Sequence, residues 1–168
     1  MTLNLRRILP RLSRHANHLA TPSPATASPF LRLPGAGAQA VRNSSNASII
    51  LTKNAMPPVG PYSQAIKTPH AIYCSGQLPA DAKGNLVQGT MGEKTRACIQ
   101  ALGAVLAEGG SSLEKIVKVQ IFLTDMDDFT AMNQEYEKLI THSPARSCVA
   151  VKQLPKGANL EIECIALP

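Results

Sequence analysis

Residues 144–163 read PARSCVAVKQLPKGANLEIE and contain two strand-like runs on either side of a loop. The loop holds Pro155 and Gly157, and this composition is typical of a β-hairpin with a long connection. With the loop centred just after Pro155, Arg146 pairs across the ladder with Ile165. The stretch therefore predicts two neighbouring antiparallel strands, whose register decides which side chains meet.

This register sorts the side chains onto two faces, because partners across a ladder share a face. The predicted core face carries Ser147, Val149, Val151, Leu160, Ile162 and Cys164. The opposite face carries Arg146, Cys148, Ala150, Glu161, Glu163 and Ile165. One guanidinium and two carboxylates among small and apolar groups favour a site that holds an anion beside a proton acceptor. An ordinary solvated strand face is the alternative, and the residues alone leave it open.

Charge is distributed unevenly along the 168 residues, whose formal net charge is +6. Residues 1–47 contain Arg6, Arg7, Arg11, Arg14, Arg32 and Arg42 but no Lys, Asp or Glu. All 11 acidic residues lie in residues 48–168 with the other 11 of the 17 basic residues, so that part is formally neutral. This pattern predicts a mitochondrial transit peptide and linker over residues 1–47, a matrix location, and a folded domain over residues 48–168. A disordered basic arm for nucleic acid is the competing interpretation.

Cysteine and histidine spacing gives no sign of metal or redox chemistry. Cys74, Cys98, Cys148 and Cys164 form no CxxC pair and have apolar neighbours, which predicts buried thiols. The four histidines lack the spacing of metal ligands, and the sequence has no P-loop or dinucleotide fingerprint. No run approaches the ~18 apolar residues of a membrane span. We therefore expect no metal, no cofactor and no membrane association.

Hydrophobic periodicity predicts the remaining elements. Strands are expected at 49–52, 71–75 and 115–124, a hairpin turn at 81–85, and helices at 90–108 and from about 125 to 140. Each helix has one apolar stripe, which is expected to face a core. Strands, helix, strand, helix, strands is the order of an α+β fold, with a mixed β-sheet and two helices packed on one face.

Several segments together resemble one family. GPYSQAI (60–66), YCSGQLP (73–79), DMDDFTAMNQEYEKL (125–139), PARSCVAV (144–151) and LPKGANLEIECIA (154–166) are similar, in order and spacing, to the reactive intermediate deaminase family, called Rid or YjgF. The resemblance covers about Ile50 to Leu167. It implies the trimer-forming fold of YjgF, which is like that of chorismate mutase, with pockets at subunit borders.

The resemblance also implies an activity. Rid proteins hydrolyse 2-imino acids and their enamine tautomers, such as 2-aminoacrylate, 2-iminopropanoate and 2-iminobutanoate, to 2-oxo acids and ammonia. The expected function is thus that of a 2-iminobutanoate/2-iminopropanoate deaminase, which protects PLP enzymes and supports branched-chain amino-acid metabolism. The substrates are small molecules, and no nucleic acid is needed.

Site residues are carried over from the matching motifs. Arg146 is expected to hold the substrate carboxylate and Glu161 to activate water, while Tyr62 closes the pocket. Ser75, Gly76 and Cys148 line it. The hairpin register puts Arg146 about 13 Å along the strand from Glu161, so the two side chains must lean together or a bulge must intervene.

Two residues depart from the family pattern. Ala150 stands where many members have an acid, and Cys74 where they have an aliphatic residue.

Two other functions stay open. A non-catalytic metabolite-binding or regulatory module would use the same pocket, but would need Arg146 and not Glu161. An RNA-acting translation inhibitor is disfavoured by the neutral domain and by the low aromatic content of 4%.

Overall fold

The computed structural model describes residues 46–168, which form one six-stranded mixed sheet with two helices. Most of the predicted transit peptide and linker, residues 1–47, lies outside the described residues. The elements are β1 (Ser48–Ile50), β2 (Ala65–Lys67), β3 (Ile72–Gln77), α1 (Met91–Glu108), β4 (Ile116–Leu123), α2 (Phe129–Leu139), β5 (Ala145–Ala150) and β6 (Leu160–Ala166). The strand order is β1-β2-β3-β6-β4-β5. The predicted α+β fold with a mixed sheet is confirmed.

The core lies between the two helices and one face of the sheet. Its fully buried side chains include Leu102 and Leu106 of α1, Met132 of α2, and Ile121 and Ile162 of the central strands. The predicted apolar stripes of both helices supply these contacts, so each helix is stabilised by tertiary packing as well as by its own hydrogen bonds.

The first helix begins and ends where the sequence predicts. Thr90 forms a capping box with Glu93, whose carboxylate accepts the Thr90 N–H at 2.8 Å. Gly109 follows the last turn and Gly110 adopts a φ of +77°, which favours glycine and stops the helix. The predicted turn at 81–85 is also present, with an isolated bridge between Ala80 and Leu86.

The predicted hairpin between the last two strands is wrong. β5 pairs in parallel with β4, and β6 pairs antiparallel with β4 on its other side. The connecting loop passes the end of β4, where Val151 donates to Leu123 O at 2.7 Å and Thr124 donates to Asn159 O at 3.2 Å. A nine-residue connection at 151–159 is long enough to step over one strand. The eight-residue β4 therefore occupies the position between β5 and β6, where both of its edges are paired.

This order reverses the predicted faces of β5. Arg146 and Cys148 lie level with the buried Val119 and Ile121 of β4, and so belong to the helix side of the sheet. Ser147 and Val149, predicted to face the core, lie on the other side. The faces of β6 are as predicted, with Leu160, Ile162 and Cys164 buried. Arg146 and Glu161 are consequently on opposite faces of one sheet.

The sheet face away from the helices, here called the open face, is largely uncovered. Ile49, Tyr73 and Val149 on this face are 70%, 51% and 47% exposed. Polar side chains cross the same face, including Gln120, which donates to the Glu163 carboxylate. In residues 46–168 no helix is long and apolar enough to cross a membrane.

Candidate functional site

A cleft of about 240 Å³ opens on the open face and contains four of the six predicted site residues. Tyr62, Ser75, Gly76 and Glu161 line it, together with Val59, Leu78 and Pro155. The Glu161 carboxyl is the only carboxyl group of this lining, and most of the remaining wall is apolar. The cleft therefore has the composition of a small-molecule site with a few converging polar groups.

Glu161 is placed by the alternation of β6, which sends its neighbours Leu160 and Ile162 into the core. Its side chain is partly buried, and this burial raises the pKa of the Glu161 carboxyl. The nearby negative charge of Glu163, two residues along on the same face, raises the Glu161 pKa further. A carboxyl with a raised pKa can accept and return a proton closer to neutral pH than an ordinary glutamate.

An irregularity in β3 makes room for this carboxyl. The pairing of β3 with β6 shifts between Cys74 and Gln77, so Ser75 and Gly76 leave the regular ladder beside Glu161. A Cβ atom on Gly76 would lie 2.6 Å from Glu161 Cδ and 2.8 Å from Cγ, which is closer than side-chain atoms approach. Gly76 is therefore required for the observed position of Glu161.

Two hydrogen bonds fix the rest of the polar wall. Ser75 Oγ donates to the Ser63 carbonyl at 2.7 Å, which ties the irregular part of β3 to the segment before β2. At the outer rim, Tyr62 Oη accepts the Val59 N–H at 3.2 Å, and the Tyr62 side chain stays 43% exposed. Tyr62 thus forms a partly exposed wall of the cleft.

Arg146 and Cys148 are not in this cleft. Arg146 lies on the helix side of the edge strand β5, beside a second cleft of about 300 Å³ that also contains Asn133 and Tyr136. Cys148 packs against the core, and burial raises the pKa of its thiol. One chain therefore carries two separate groups of predicted site residues, one around Glu161 and one around Arg146.

Sequence reasoning missed the residues that surround Arg146. Its guanidinium lies over the Tyr136 ring, and its Nη1 donates to Asn133 Oδ1 at 2.8 Å. Tyr136 belongs to the apolar stripe of α2, for which the sequence predicts only packing against the core. The signal was the spacing of Phe129, Asn133 and Tyr136, which places the three side chains along one face of a helix.

Other ionisable groups are accounted for by structure. Cys74 and Cys164 are buried partners across the β3–β6 ladder, and the hydrogen bond between them, together with burial, raises the pKa of Cys164. All four thiols are free. Residues 46–168 hold no group of three or more His, Cys, Asp or Glu that could bind a metal ion.

The fold and the cleft together define the class of protein. It is a small α+β domain with a half-buried carboxyl group beside an irregularity of its sheet. The model of the family described as endoribonuclease L-PSP matches residues 52–168. The chain belongs to this family, and its resemblance to Rid proteins is confirmed.

Individual relatives are similar over most of the described residues. The chain is 57% identical to "Protein mmf1, mitochondrial" of Schizosaccharomyces pombe over 112 residues, which are 64% of this chain and 68% of the relative. A Yersinia pestis structure, described as YyfA of the conserved Rid protein family, is 42% identical with a TM-score of 0.70, over 73% of this chain and 99% of that one. The crystal structure of E. coli TdcF with bound serine is 32% identical with a TM-score of 0.69, over 72% and 98%.

Proposed function

We propose that the protein hydrolyses 2-imino acids, with 2-iminopropanoate (from 2-aminoacrylate) and 2-iminobutanoate as substrates, to 2-oxo acids and ammonia. The observation that carries this proposal is the half-buried Glu161, whose raised pKa suits proton transfer in a cleft of about 240 Å³. An imine carbon is already electrophilic, so its hydrolysis needs a positioned water and a proton carrier more than a strong nucleophile.

The chemistry can be written with Glu161 as the only proton carrier. Glu161 accepts a proton from water as the water oxygen bonds to the imine carbon, and it passes that proton to the imine nitrogen to give a neutral carbinolamine. In the second step Glu161 carries the hydroxyl proton to the amino nitrogen, the C–N bond breaks, and the carbonyl forms. A proton carrier of this kind contributes about 10²–10⁴ to the rate.

Substrate binding needs the other group of residues. Arg146 is the proposed receptor for the substrate carboxylate, because a guanidinium fork binds a carboxylate through two parallel hydrogen bonds. The serine in the TdcF structure is a small molecule with both a carboxylate and a 2-amino group, which supports a ligand of this kind.

A complete site therefore requires two copies of the chain. Arg146 and Glu161 lie on opposite faces of the sheet, and two strand spacings separate β5 from β6, about 10 Å. We propose a homotrimer in which the Arg146 group of one copy, with Cys148, completes the cleft of Tyr62, Ser75, Gly76 and Glu161 in the next. The exposed apolar side chains of the open face supply the contact surface. The number three comes from the Rid resemblance.

The proposed location is the mitochondrial matrix. Support comes from the acid-free, Arg-rich residues 1–47 and from the relative named mitochondrial in Schizosaccharomyces pombe. The domain over residues 48–168 would be the mature enzyme, acting near the amino-acid enzymes that release reactive imines.

A competition assay tests the reaction. A serine or threonine dehydratase generates the imine in place, and semicarbazide traps what the protein has not hydrolysed. We expect wild-type protein to reduce the trapped product sharply, and Arg146→Ala to abolish the effect. Arg146→Lys should restore little, because an ammonium cannot replace the fork. If folded Arg146→Ala clears the imine as fast as wild type, the assignment is wrong.

The same assay separates the other candidates. Glu161→Gln should keep ligand binding but slow turnover, whereas a non-catalytic binding module would show no turnover in the wild type either. RNA cleavage is suggested by the description of the matching family model and by two similar solved structures that are described as putative endoribonucleases. Residues 48–168 are formally neutral and so lack the net positive charge that favours nucleic-acid binding, and we do not favour this function.

A further inference from the structure

Three side chains of α2 surround the Arg146 guanidinium. Its Cζ atom lies 4.7 Å from the centre of the Tyr136 ring and 5.9 Å from that of Phe129. Asn133 lies between these rings along the helix and accepts an Arg146 N–H at 2.8 Å. A cation stacked on one ring and hydrogen-bonded at one edge has a defined orientation, which an exposed arginine on an edge strand would otherwise lack.

This arrangement leaves most of the guanidinium available. Arginine has about five N–H donors, and Asn133 occupies one of them through a neutral amide oxygen. All acidic residues of the sequence lie within the described residues, and both ion pairs found there belong to Glu135. Arg146 therefore forms no ion pair with a carboxylate of its own chain within 4 Å, although Glu137 lines the same cleft.

We propose that Tyr136 and Asn133 are positioning residues, which hold Arg146 as a preformed receptor for the carboxylate of the ligand. The inference rests on the role proposed above for Arg146. Tyr136 fixes the plane of the guanidinium, and Asn133 fixes its rotation without cancelling its charge. The substrate class follows: ligands must carry a planar anion, and amides or esters of the same acids are excluded.

The ring and the hydroxyl of Tyr136 have separable roles. Tyr136 is buried, and its hydroxyl is the one buried side-chain polar atom in residues 46–168 without a hydrogen-bond partner. The face of the ring, and not the hydroxyl, contacts Arg146. Tyr136→Phe should thus keep the receptor intact, whereas Tyr136→Leu removes the ring and keeps an apolar side chain in the core.

The test measures binding of 2-oxobutanoate, a product with the same carboxylate, by calorimetry, and imine turnover in parallel. We expect Tyr136→Leu to weaken binding about tenfold and Tyr136→Phe to bind like wild type. Asn133→Asp, which keeps the shape but adds an internal anion, should weaken binding more than Asn133→Ala. These changes should raise KM and leave kcat nearly unchanged, with no loss of thermal stability for the Asn133 variants.

Two results would overturn the inference. One is an Asn133→Asp protein that binds 2-oxobutanoate like wild type, and the other is a Tyr136→Phe protein that fails to bind although it is folded. Arg146→Ala, measured beside them, tests the proposed function separately. If only Arg146→Ala loses binding, the carboxylate receptor stands without its positioning residues; if Arg146→Ala also binds normally, the proposed role of Arg146 fails as well.

Discussion

Glu161 is surrounded by groups that favour its protonated form, and this has a measurable consequence. Burial and the charge of Glu163 both raise the Glu161 pKa above the ordinary value for glutamate. The carboxylate form, which begins the reaction as a base, is therefore lost at a higher pH than for an exposed glutamate. Activity should fall as the pH drops through this raised pKa.

Glu163→Gln tests the electrostatic part of this shift. The substitution removes the neighbouring charge but keeps the side-chain shape and an oxygen that can accept the Gln120 amide. We expect the acid limb of the pH–kcat profile to move to lower pH but to stay above that of an ordinary glutamate, because burial is the larger cause of the raised Glu161 pKa. Glu108→Gln, on the exposed end of α1, is the control and should leave the profile unchanged. A shift of the limb to higher pH would contradict the assignment of Glu161.

Gly76→Ala tests the close approach of β3 to the carboxyl. The added methyl would overlap Glu161 Cγ and Cδ, so the carboxyl must leave its position. We expect kcat/KM to fall on the order of 10²-fold while the protein stays folded. Gly103→Ala is the matched control, because its Cβ would meet only Leu113 side-chain atoms at ordinary distances of 3.5 Å and more. Equal activity in both variants would show that Glu161 need not lie against Gly76.

At the scale of elements, Glu135 joins the two helices. The Arg96 side chain of α1 donates to Glu135 Oε1 through Nε at 2.9 Å, and Lys138 donates to Oε2 at 3.2 Å. The bond from Arg96, followed by that from Lys138, lowers the pKa of the Glu135 carboxyl. A group with a lowered folded-state pKa stabilises the fold above its unfolded pKa, and that stabilisation is lost as the pH falls through the folded value.

Thermal unfolding at several pH values checks this link. Glu135→Gln should lower Tm by a few degrees near neutral pH, and the difference from wild type should shrink on acidification. Glu108→Gln again serves as the control, since it removes an exposed acid from the end of α1, outside the ion pairs of Glu135. A Tm difference that does not change with pH would mean that the ionised form of Glu135 is unimportant.

Most of the elements could be predicted from the sequence, but the pairing of the last two strands could not. Periodicity locates β4, α1 and α2 closely, because each buries one face of its own side chains. The predicted hairpin was wrong because strand pairing depends on strands that are distant in the sequence. The residues of a loop do not indicate whether it joins two adjacent strands or crosses over a third strand. β2 was missed since three residues, Ala65–Lys67, give no measurable alternation.

The error in strand pairing also explains why the predicted site residues form two separate groups. Tyr62, Ser75, Gly76 and Glu161 were expected together from their motifs, and they share one cleft. The hairpin register predicts Arg146 on the same face as Glu161, although about 13 Å away along the strand. With β4 inserted, the faces of β5 are set by β4, and the two charged residues separate. Composition, spacing and periodicity do not predict a site shared between two copies, and that expectation comes from the Rid resemblance alone.

At the scale of the whole molecule, the acid-free N-terminal part predicts processing. The mature protein should begin after about residue 40, because the basic residues 1–47 have the composition of an imported leader. Mass spectrometry of the protein purified from its own cells measures the N-terminus directly. An intact end at Met1 or Leu3 in the mature pool would contradict the prediction.

The proposed assembly has the most direct test, because it puts the two halves of the site on different copies. Light scattering should report a trimer at micromolar concentration, and a monomer would reject the proposal. The sharper experiment coexpresses Arg146→Ala and Glu161→Gln chains with different affinity tags and purifies the mixed trimers through both tags. Each variant alone should have little activity.

In a ring of three, every mixed trimer has one site that joins an intact Glu161 to an intact Arg146, whichever variant is present twice. About one third of the wild-type activity should therefore return. A site contained within one chain would give no recovery, since every chain lacks one of the two groups, and a ring of two would give about one half. The recovered fraction thus reads out both where the site lies and how many copies surround it.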